Sequence, residues 1–429
     1  MVLVALTLLL FLIASGLYVA VALGLLGMLM AEFYSPFPVF RAIGEIAWSS
    51  STNFLLLSIP MFIMMGELLM RSGISRSMYD ALDKWVGRIP GGLMHTNIAA
   101  SAAFAATSGS SLATAATIGT VSIPQIELRG YNPALFLGSI AAGGTLGILI
   151  PPSINMILYG SLSDTSVSDL YLAALIPGII LAVLFMGMIF TACIIWPDLG
   201  AKSDRATMGE RIRHLVHLLP PLIIFMLVVG SIYLGWATPT EAASLGVTAS
   251  LALALWHRQL TIDVMLRVFE GTVRTTSMVM LIVLAALFLN FVLTTIGLTD
   301  LVIRGVSSLD WPPIGVLLAI IGLYLILGCF IETLTLMIAT TPLIVPVIKS
   351  LGYDPVWFGV VFVILIEAAL ITPPIGMNLF IVQSTRGKGP FRDVALGSLP
   401  FLAVMLGFIG LLILVPDLAL MLPTYFGIQ

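Results

Sequence analysis

Long apolar runs separated by short polar stretches set the pattern of this chain. Apolar segments near residues 1–30, 54–70, 133–160, 170–197, 218–236, 240–256, 276–296, 356–383 and 397–422 predict helices. Each is about 17 to 30 residues long, the length that crosses a hydrocarbon core. The first of them carries no charge, has no basic start, and reads as a retained spanning helix long enough to tilt or break.

Two stretches break this rhythm. Residues 93–125 and 312–348 are too long for one crossing. They are too short for two crossings and a turn, which need roughly 40 residues. Both carry polar residues at mid-length and read as re-entrant helical hairpins. Such backbone is tolerated at membrane depth only where protein or a water cavity covers it. Between Thr96 and Ile126 there is no Asp, Glu, Lys, Arg or His, yet the centre reads TSGSSLATAATIG.

Composition agrees with the pattern. Of the 429 residues, 59% are hydrophobic and 9% charged, and the mean hydropathy is +1.13. A soluble domain has about 25% charged residues, so the chain is predicted to be an all-α polytopic membrane protein in a lipid bilayer. With a net charge of -3 and scattered basic residues, nucleic acid is not an expected partner. Cys193 and Cys329 lie in apolar segments and read as buried hydrophobes. His95, His214, His217 and His257 sit at span ends or in basic loops, so no transition-metal site is expected.

Charge also orients the chain. Loops 71–92 (Arg71, Arg76, Lys84, Arg88), 198–217 (Lys202, Arg205, Arg211, Arg213), 257–275 (Arg258, Arg267, Arg274) and 384–395 (Arg386, Lys388, Arg392) are basic and should face the cytoplasm. Loops 31–50 and 298–311 hold one Arg each, and loop 161–170 and the tail after Pro416 hold none, so these should face outward. The sides alternate only if each hairpin returns to its own face. The N-terminus is then cytoplasmic and the C-terminus periplasmic.

The sequence repeats itself. GYNPALF at 130–136 returns as GYDPVWF at 352–358, and LIPPSINM at 149–156 as ITPPIGMN at 371–378, both 222 residues later. Pro124 and Pro346 share that offset, and GELLMRSGIS pairs weakly with NFVLTTIGLT. Corresponding loops fall on opposite sides, which predicts two inverted repeats. That is the architecture of secondary transporters, with sites near the midplane. The expected division is 1–197 for the first repeat (hairpin 93–125, broken helix 133–160) and 198–239 for a cytoplasmic linker and connecting helix. Residues 240–429 form the second repeat (hairpin 312–348, broken helix 356–383).

Each half pairs a hairpin with a helix broken at Pro-Pro. Proline removes a donor, so Pro151 and Pro152 should free the carbonyls of Gly147 and Ile148, and Pro373 and Pro374 those of Ala369 and Leu370. Carbonyls at the end of a half-helix are hard ligands that suit a bare cation such as sodium. Thr107, Ser108, Gly109, Ser110 and Ser111 would form the first hairpin tip. Its small residues let it approach Gly143, Gly144 and Thr145, with Ser153 and Asn155 adding side-chain oxygens. The second half mirrors this with GCFIETLTLMIATTP (328–342), Thr372, Gly376 and Asn378. Glu332 and Glu367 are ionisable residues in apolar surroundings and read either as structural pairs or as site groups. Small residues also serve ordinary helix–helix contacts; the repeated Pro-Pro break beside them favours a site. Glu67 reads as a structural residue at a span end, and Glu241 as part of a helix cap. No H-E-x-x-H and no G-x-x-x-x-G-K-[ST] occurs, so neither a metalloprotease nor an ATP-driven pump is supported, and the drive should be an ion gradient.

SIPMFIMMGELLMRSGIS, ATSGSSLATAATIG, LGILIPPSINMILYG, GWATPTEAASLGV and LITPPIGMNLFIVQS together resemble the large membrane subunit of tripartite ATP-independent periplasmic (TRAP) transporters, the dicarboxylate-transporter M type. The resemblance runs over essentially the whole chain. It implies an elevator-type sodium symporter of the bacterial inner membrane, with a scaffold and a transport domain. A small four-helix membrane subunit and a periplasmic substrate-binding protein are its implied partners, and sodium is the coupling ion, with no other cofactor. The implied substrates are carboxylates such as C4-dicarboxylates, sialic acid or sugar acids.

One implied sodium site lies at the first hairpin tip and its broken helix (Thr107, Ser108, Gly109, Ser110, Ser111, Gly144, Thr145, Gly147, Ser153, Asn155). The second involves Gly328, Glu332, Thr333, Ala369, Thr372, Ile375, Gly376 and Asn378. Substrate contacts are expected from Ser110, Ser111, Thr333, Glu367 and Thr372. No intramembrane Arg stands out to clamp a carboxylate. A self-sufficient anion:sodium symporter of related hairpin architecture is the nearest alternative. A channel would not need two-sided broken helices, and a hydrolase using Ser110 lacks a base nearby. No enzymatic activity is expected.

Overall fold

The computed structural model describes residues 1–201, 207–308 and 310–426. Lys202 and Arg205 of the predicted cytoplasmic loop lie outside the described residues, as do the side chains of Thr107 and Ser108. The first part of the chain forms α1 (Val2–Ala14), α2 (Val19–Tyr34), α3 (Ile43–Ser51), α4 (Ser58–Arg71), α5 (Ile74–Val86), α6 (Leu93–Ser108), α7 (Ser111–Ser122), α8 (Pro124–Arg129), α9 (Pro133–Leu149), α10 (Ile154–Ser163) and α11 (Val167–Ile195). Then come α12 (Met208–Leu215) and α13 (Leu219–Tyr233). The remainder forms α14 (Pro239–Trp256), α15 (Ile262–Thr295), α16 (Leu298–Ser307), α17 (Pro313–Gly328), α18 (Thr333–Ser350), α19 (Pro355–Leu370), α20 (Met377–Arg386), α21 (Phe391–Leu414) and α22 (Asp417–Phe426).

Helices make up all the regular secondary structure of the described residues. Five segments are long and apolar enough to cross a membrane: Val167–Ile195, Met208–Tyr233, Ile262–Thr295, Thr333–Ser350 and Phe391–Leu414. The pair α9 and α10 makes a sixth, bent by 46° at its break.

The repeated G-Y-[ND]-P motif has a local cause. Gly130 and Gly352 take left-handed backbone (φ +72° and +83°), which ends the preceding helix. Asn132 Oδ1 then accepts from the Ala134 and Leu135 amides at 3.0 and 3.3 Å. Asp354 Oδ1 accepts from Val356 and Trp357 at 2.7 and 3.0 Å. Pro133 and Pro355 occupy the first helical position, where a missing N–H costs nothing. The motif therefore resets the chain at the same place in each half and starts α9 and α19. Both Pro-Pro bonds, Pro151–Pro152 and Pro373–Pro374, are cis.

Several expected boundaries shift. The apolar stretch 1–30 is two helices, with the chain turning at Gly16 (φ +77°). The predicted loop 257–275 is mostly the start of α15, and loops 31–50, 71–92 and 298–311 contain α3, α5 and α16. Their charged and polar residues hid the helical period, yet charge does not oppose helix formation. Arg267 pairs with Asp263 one turn back at 2.9 Å. The last apolar stretch is divided into α21 and α22 by Pro416.

The halves interlock. The second pieces of the broken helices are exchanged, α10 packing on α18 and α20 on α7, while α2 packs on α15 and α14 on α4. Helix α9 also packs closely along α21. A Cβ on Gly138 would lie 1.9 Å from the Gly397 carbonyl oxygen, and one on Gly397 would lie 1.8 Å from that of Ala134. Backbone meets backbone there, which only glycine allows.

Candidate functional site

Each hairpin begins its return arm with a capped helix. Ser110 Oγ accepts from the Ala113 amide at 3.4 Å and caps α7. Glu332 Oε2 accepts from the Thr335 amide at 3.0 Å and from its hydroxyl at 3.2 Å, and caps α18. These residues occupy equivalent positions in the repeat. The turn of the first tip is made by Gly109, whose φ is +59° and whose Cβ would stand 3.1 Å from the Pro152 carbonyl. Ser153 starts α10 in the same way, accepting from Met156 at 3.4 Å.

The two tips line one cavity of about 500 Å³. Gly109, Ser110 and Ser111 reach it from the first hairpin, and Glu332, Thr333 and Thr335 from the second. Asn155 of α10 and Thr275 of α15 add polar groups, and most of the remaining wall is apolar. The positive end of the α7 dipole thus stands at the cavity, where an anionic group is favoured, whereas that of α18 is already met by the Glu332 carboxylate.

Behind the cavity is a polar junction between the halves. Ser111 Oγ donates to Glu367 Oε2 (2.7 Å) or to the Gly144 carbonyl (3.0 Å), and accepts from Asn378 Nδ2 (3.0 Å). Asn378 Nδ2 also donates to the Ala141 carbonyl at 3.2 Å. Ser111, Glu367 and Asn378 are all buried. Glu367 Oε1 and Asn378 Oδ1 are buried oxygens without a hydrogen-bond partner among the described residues, and Asn155 Nδ2 is a buried donor without one. Glu367 was expected at the substrate cavity, but it does not line it; its carboxyl sits behind Ser111.

The other expected residues fall into three groups. Gly144 and Gly147 let the tip come close: a Cβ on Gly147 would lie 2.7 Å from the Ser110 carbonyl, and one on Gly144 2.8 Å from Ala115 Cβ. Gly328 plays that part in the second half, where its Cβ would meet Ala369 Cβ at 2.3 Å. Thr145 and Thr372 turn their hydroxyls back onto their own helices, donating to Ala142 (2.6 Å) and Ala368 (2.7 Å), and neither lines the cavity. Ile375 and Gly376 lie in the second break, and Gly376 packs against the Leu370 carbonyl.

The freed carbonyls follow the proline argument in part. Among the described residues no hydrogen bond reaches the carbonyls of Gly147, Ile148 or Leu370. That of Ala369 is occupied, accepting from the Thr372 amide at 3.1 Å, because the break after α19 tightens into a turn before its prolines.

Glu67 was read as a structural residue at a span end, yet it lines the cavity from α4. Arg71 Nε donates to its Oε2 at 2.8 Å. The signal available in the sequence was the i, i+4 spacing of Glu67 and Arg71 inside an apolar segment. Glu241 completes a capping box with Thr238 at the start of α14.

Comparison with known proteins fits this geometry. The family model "Tripartite ATP-independent periplasmic transporter, DctM component" matches residues 6–418. The C4-dicarboxylate TRAP transporter large permease protein DctM of Pseudomonas aeruginosa is 34% identical, over 95% of this chain and 95% of that protein. The sialic acid TRAP transporter large permease protein SiaM of Vibrio cholerae is 32% identical, over 87% of each. The fold is similar to that of the Alcanivorax borkumensis YdaH transporter, with a TM-score of 0.63 at 13% identity, covering 91% of this chain and 88% of that one. A chain of this helical architecture that matches the family along nearly its whole length belongs to the DctM family, the large membrane permeases of TRAP transporters.

Proposed function

We propose that this chain is the transport subunit of a sodium-coupled symporter of the bacterial inner membrane. It imports a small organic acid that a periplasmic binding protein delivers. The observation that carries this reading is the meeting of both hairpin tips at one cavity of about 500 Å³, with a broken helix from each half behind them. The relatives named for C4-dicarboxylate and sialic acid make a carboxylate the class of substrate. Its carboxylate group would rest at the N-terminus of α7, beside Ser110 and Ser111, with Thr333 across the cavity.

Sodium would sit where oxygens are left over. In the first half these are the carbonyls of Gly147 and Ile148 at the α9 break. In the second half Gly328 meets Ala369, and the Leu370 carbonyl is open. Hard, unpaired carbonyl oxygens are the ligands a small monovalent cation takes. The basic loops support a cytoplasmic N-terminus, a periplasmic C-terminus and two halves inserted with opposite sense. The hairpins then act as lids on the two sides of the site, moving with the transport domain past the scaffold. A small four-helix membrane subunit completes the complex.

The test is uptake into proteoliposomes under an inward sodium gradient, with a labelled C4-dicarboxylate or sialic acid. The chain is reconstituted with and without the small subunit and binding protein of its own genetic neighbourhood. Uptake that needs both partners is expected. Full uptake by this chain alone contradicts the tripartite reading and favours a self-sufficient anion:sodium symporter.

A further inference from the structure

The charged lining of the cavity is carboxylate only. Glu67 and Glu332 face it, and among the described residues no Lys, Arg or His does. The two carboxylates are not alike. Glu332 is taken up in capping α18, since its Oε2 accepts from both the amide and the hydroxyl of Thr335. Glu67 lines the cavity from α4, outside the two hairpin tips. Arg71, which is not part of the lining, holds its Oε2 from one turn along the helix. Its carboxyl group rests on the bare backbone of α15 at Gly271, where a Cβ would lie 2.7 Å from Glu67 Cδ and 2.8 Å from Oε1. Thr275, one turn further along α15, also lines the cavity. The absence of a side chain at 271 is thus what makes room for this carboxylate.

A carboxylate held in this way accepts hydrogen bonds and donates none. It repels a second carboxylate, the more strongly where an apolar wall excludes water. The α7 tip offers what an acid group needs, namely a helix N-terminus and the hydroxyls of Ser110 and Ser111, while Glu67 on α4 and Glu332 at the second tip present carboxylates. A ligand spanning both must be an acid at one end and a hydrogen-bond donor at the other.

We infer that Glu67 is a substrate-contacting specificity residue, and that the transported acid carries hydroxyl or ammonium donors opposite its carboxylate rather than a second carboxylate. This rests on the cavity being the transport site. It narrows the class to hydroxylated or amino-substituted monoacids. Arg71 is a positioning residue, and Gly271 supplies the seat.

The experiment uses this chain purified with its small membrane subunit in detergent at saturating sodium. Equilibrium binding is measured for three labelled probes: gluconate (a hydroxylated monoacid), serine (a zwitterion) and succinate (a bare dicarboxylate). Gluconate or serine should bind at least about tenfold more tightly than succinate, the scale of one hydrogen bond to a charged group. Gluconate binding assigns hydroxyl donors, and binding of serine, which carries both groups, without gluconate binding assigns the ammonium. E67Q should erase most of that preference, and G271A, which displaces the carboxylate without removing it, should weaken it in the same direction. Both variants are checked for a single symmetric peak in size-exclusion chromatography. Succinate binding as tightly as the donor-bearing acids overturns the inference, as does binding of none of the three, or an unchanged preference in well-behaved E67Q and G271A. Thermal stabilisation by sodium alone, without any acid, is recorded in parallel. Its absence in the wild type strikes at the symporter reading itself, whereas its presence with a succinate preference strikes only at the role of Glu67.

Discussion

Ser111 and Glu367 are 256 residues apart in sequence, and the Ser111 hydroxyl lies 2.7 Å from the Glu367 carboxyl oxygen. The contact joins the start of the first hairpin's return arm to the broken helix of the other half. Asn378 closes the junction by donating to the same hydroxyl at 3.0 Å. Because all three groups are buried, removing the hydroxyl leaves the Glu367 carboxyl without this partner and Asn378 Nδ2 with only the Ala141 carbonyl. Ser111→Ala is expected to cost about 1–3 kcal/mol, read as a lower thermal unfolding midpoint in detergent. Combined with Asn378→Ala it should be non-additive by more than about 0.5 kcal/mol. Additive effects would mean that the junction does not act as a unit.

The α9–α21 crossing gives a steric prediction. Gly138→Ala and Gly397→Ala each place a Cβ less than 2 Å from a carbonyl oxygen of the opposite helix. Backbone cannot yield as a side-chain tip can, so each variant should lose most of its folded, monodisperse yield. Gly410→Ala lies on the same α21 in open space. It should be neutral, or stabilising by up to about 1 kcal/mol from helix propensity. Equal behaviour of the three would refute this packing.

Hairpin-tip variants test the site. Replacing Ser110 at the tip, or Thr372 at the end of α19, with Leu should abolish sodium-dependent uptake by the reconstituted complex while a monodisperse chromatographic profile is retained. Normal uptake by properly inserted protein would remove these positions from the site.

At the foot of the first hairpin, on α5, Asp83 stands 3.6 Å from Arg129. Burial pushes its carboxyl above the ordinary carboxylate range, and Arg129 only partly offsets this. A carboxyl raised in the folded state contributes stability that is full below its unfolded value and is lost as pH rises through the folded one. As pH rises above about 4, the ordinary Asp value, the wild type should therefore lose stability relative to Asp83→Asn. Thermal unfolding of the two across that rise gives the comparison, and parallel pH profiles would show that Asp83 does not titrate differently on folding.

Much of the fold is legible in the sequence because it is written in backbone chemistry. Gly130, Asn132 and Pro133, repeated as Gly352, Asp354 and Pro355, specify a helix stop and a helix start wherever they occur. The Pro-Pro pairs specify a break. What stayed hidden depends on distance in sequence or on mixed composition. The bond between Ser111 and Glu367 links the halves, and no local pattern announces it. Gly138 and Gly397 look like ordinary small residues until their helices cross. Helices α5 and α16 and the start of α15 carry charged and polar residues, so they read as loops. Glu67 was set aside as a span-end residue because nothing local places Gly271 beneath its carboxylate.

The central claim is that the cavity between the hairpin tips is a sodium-coupled site, and uptake at fixed membrane potential tests it most directly. The complex with its small subunit and binding protein is reconstituted, and the accumulated acid is measured as the sodium gradient is set inward, absent or outward. The account predicts concentrative uptake under the inward gradient only, and efflux of preloaded acid when the gradient is reversed. Accumulation of the same size in sodium-free buffer would contradict it.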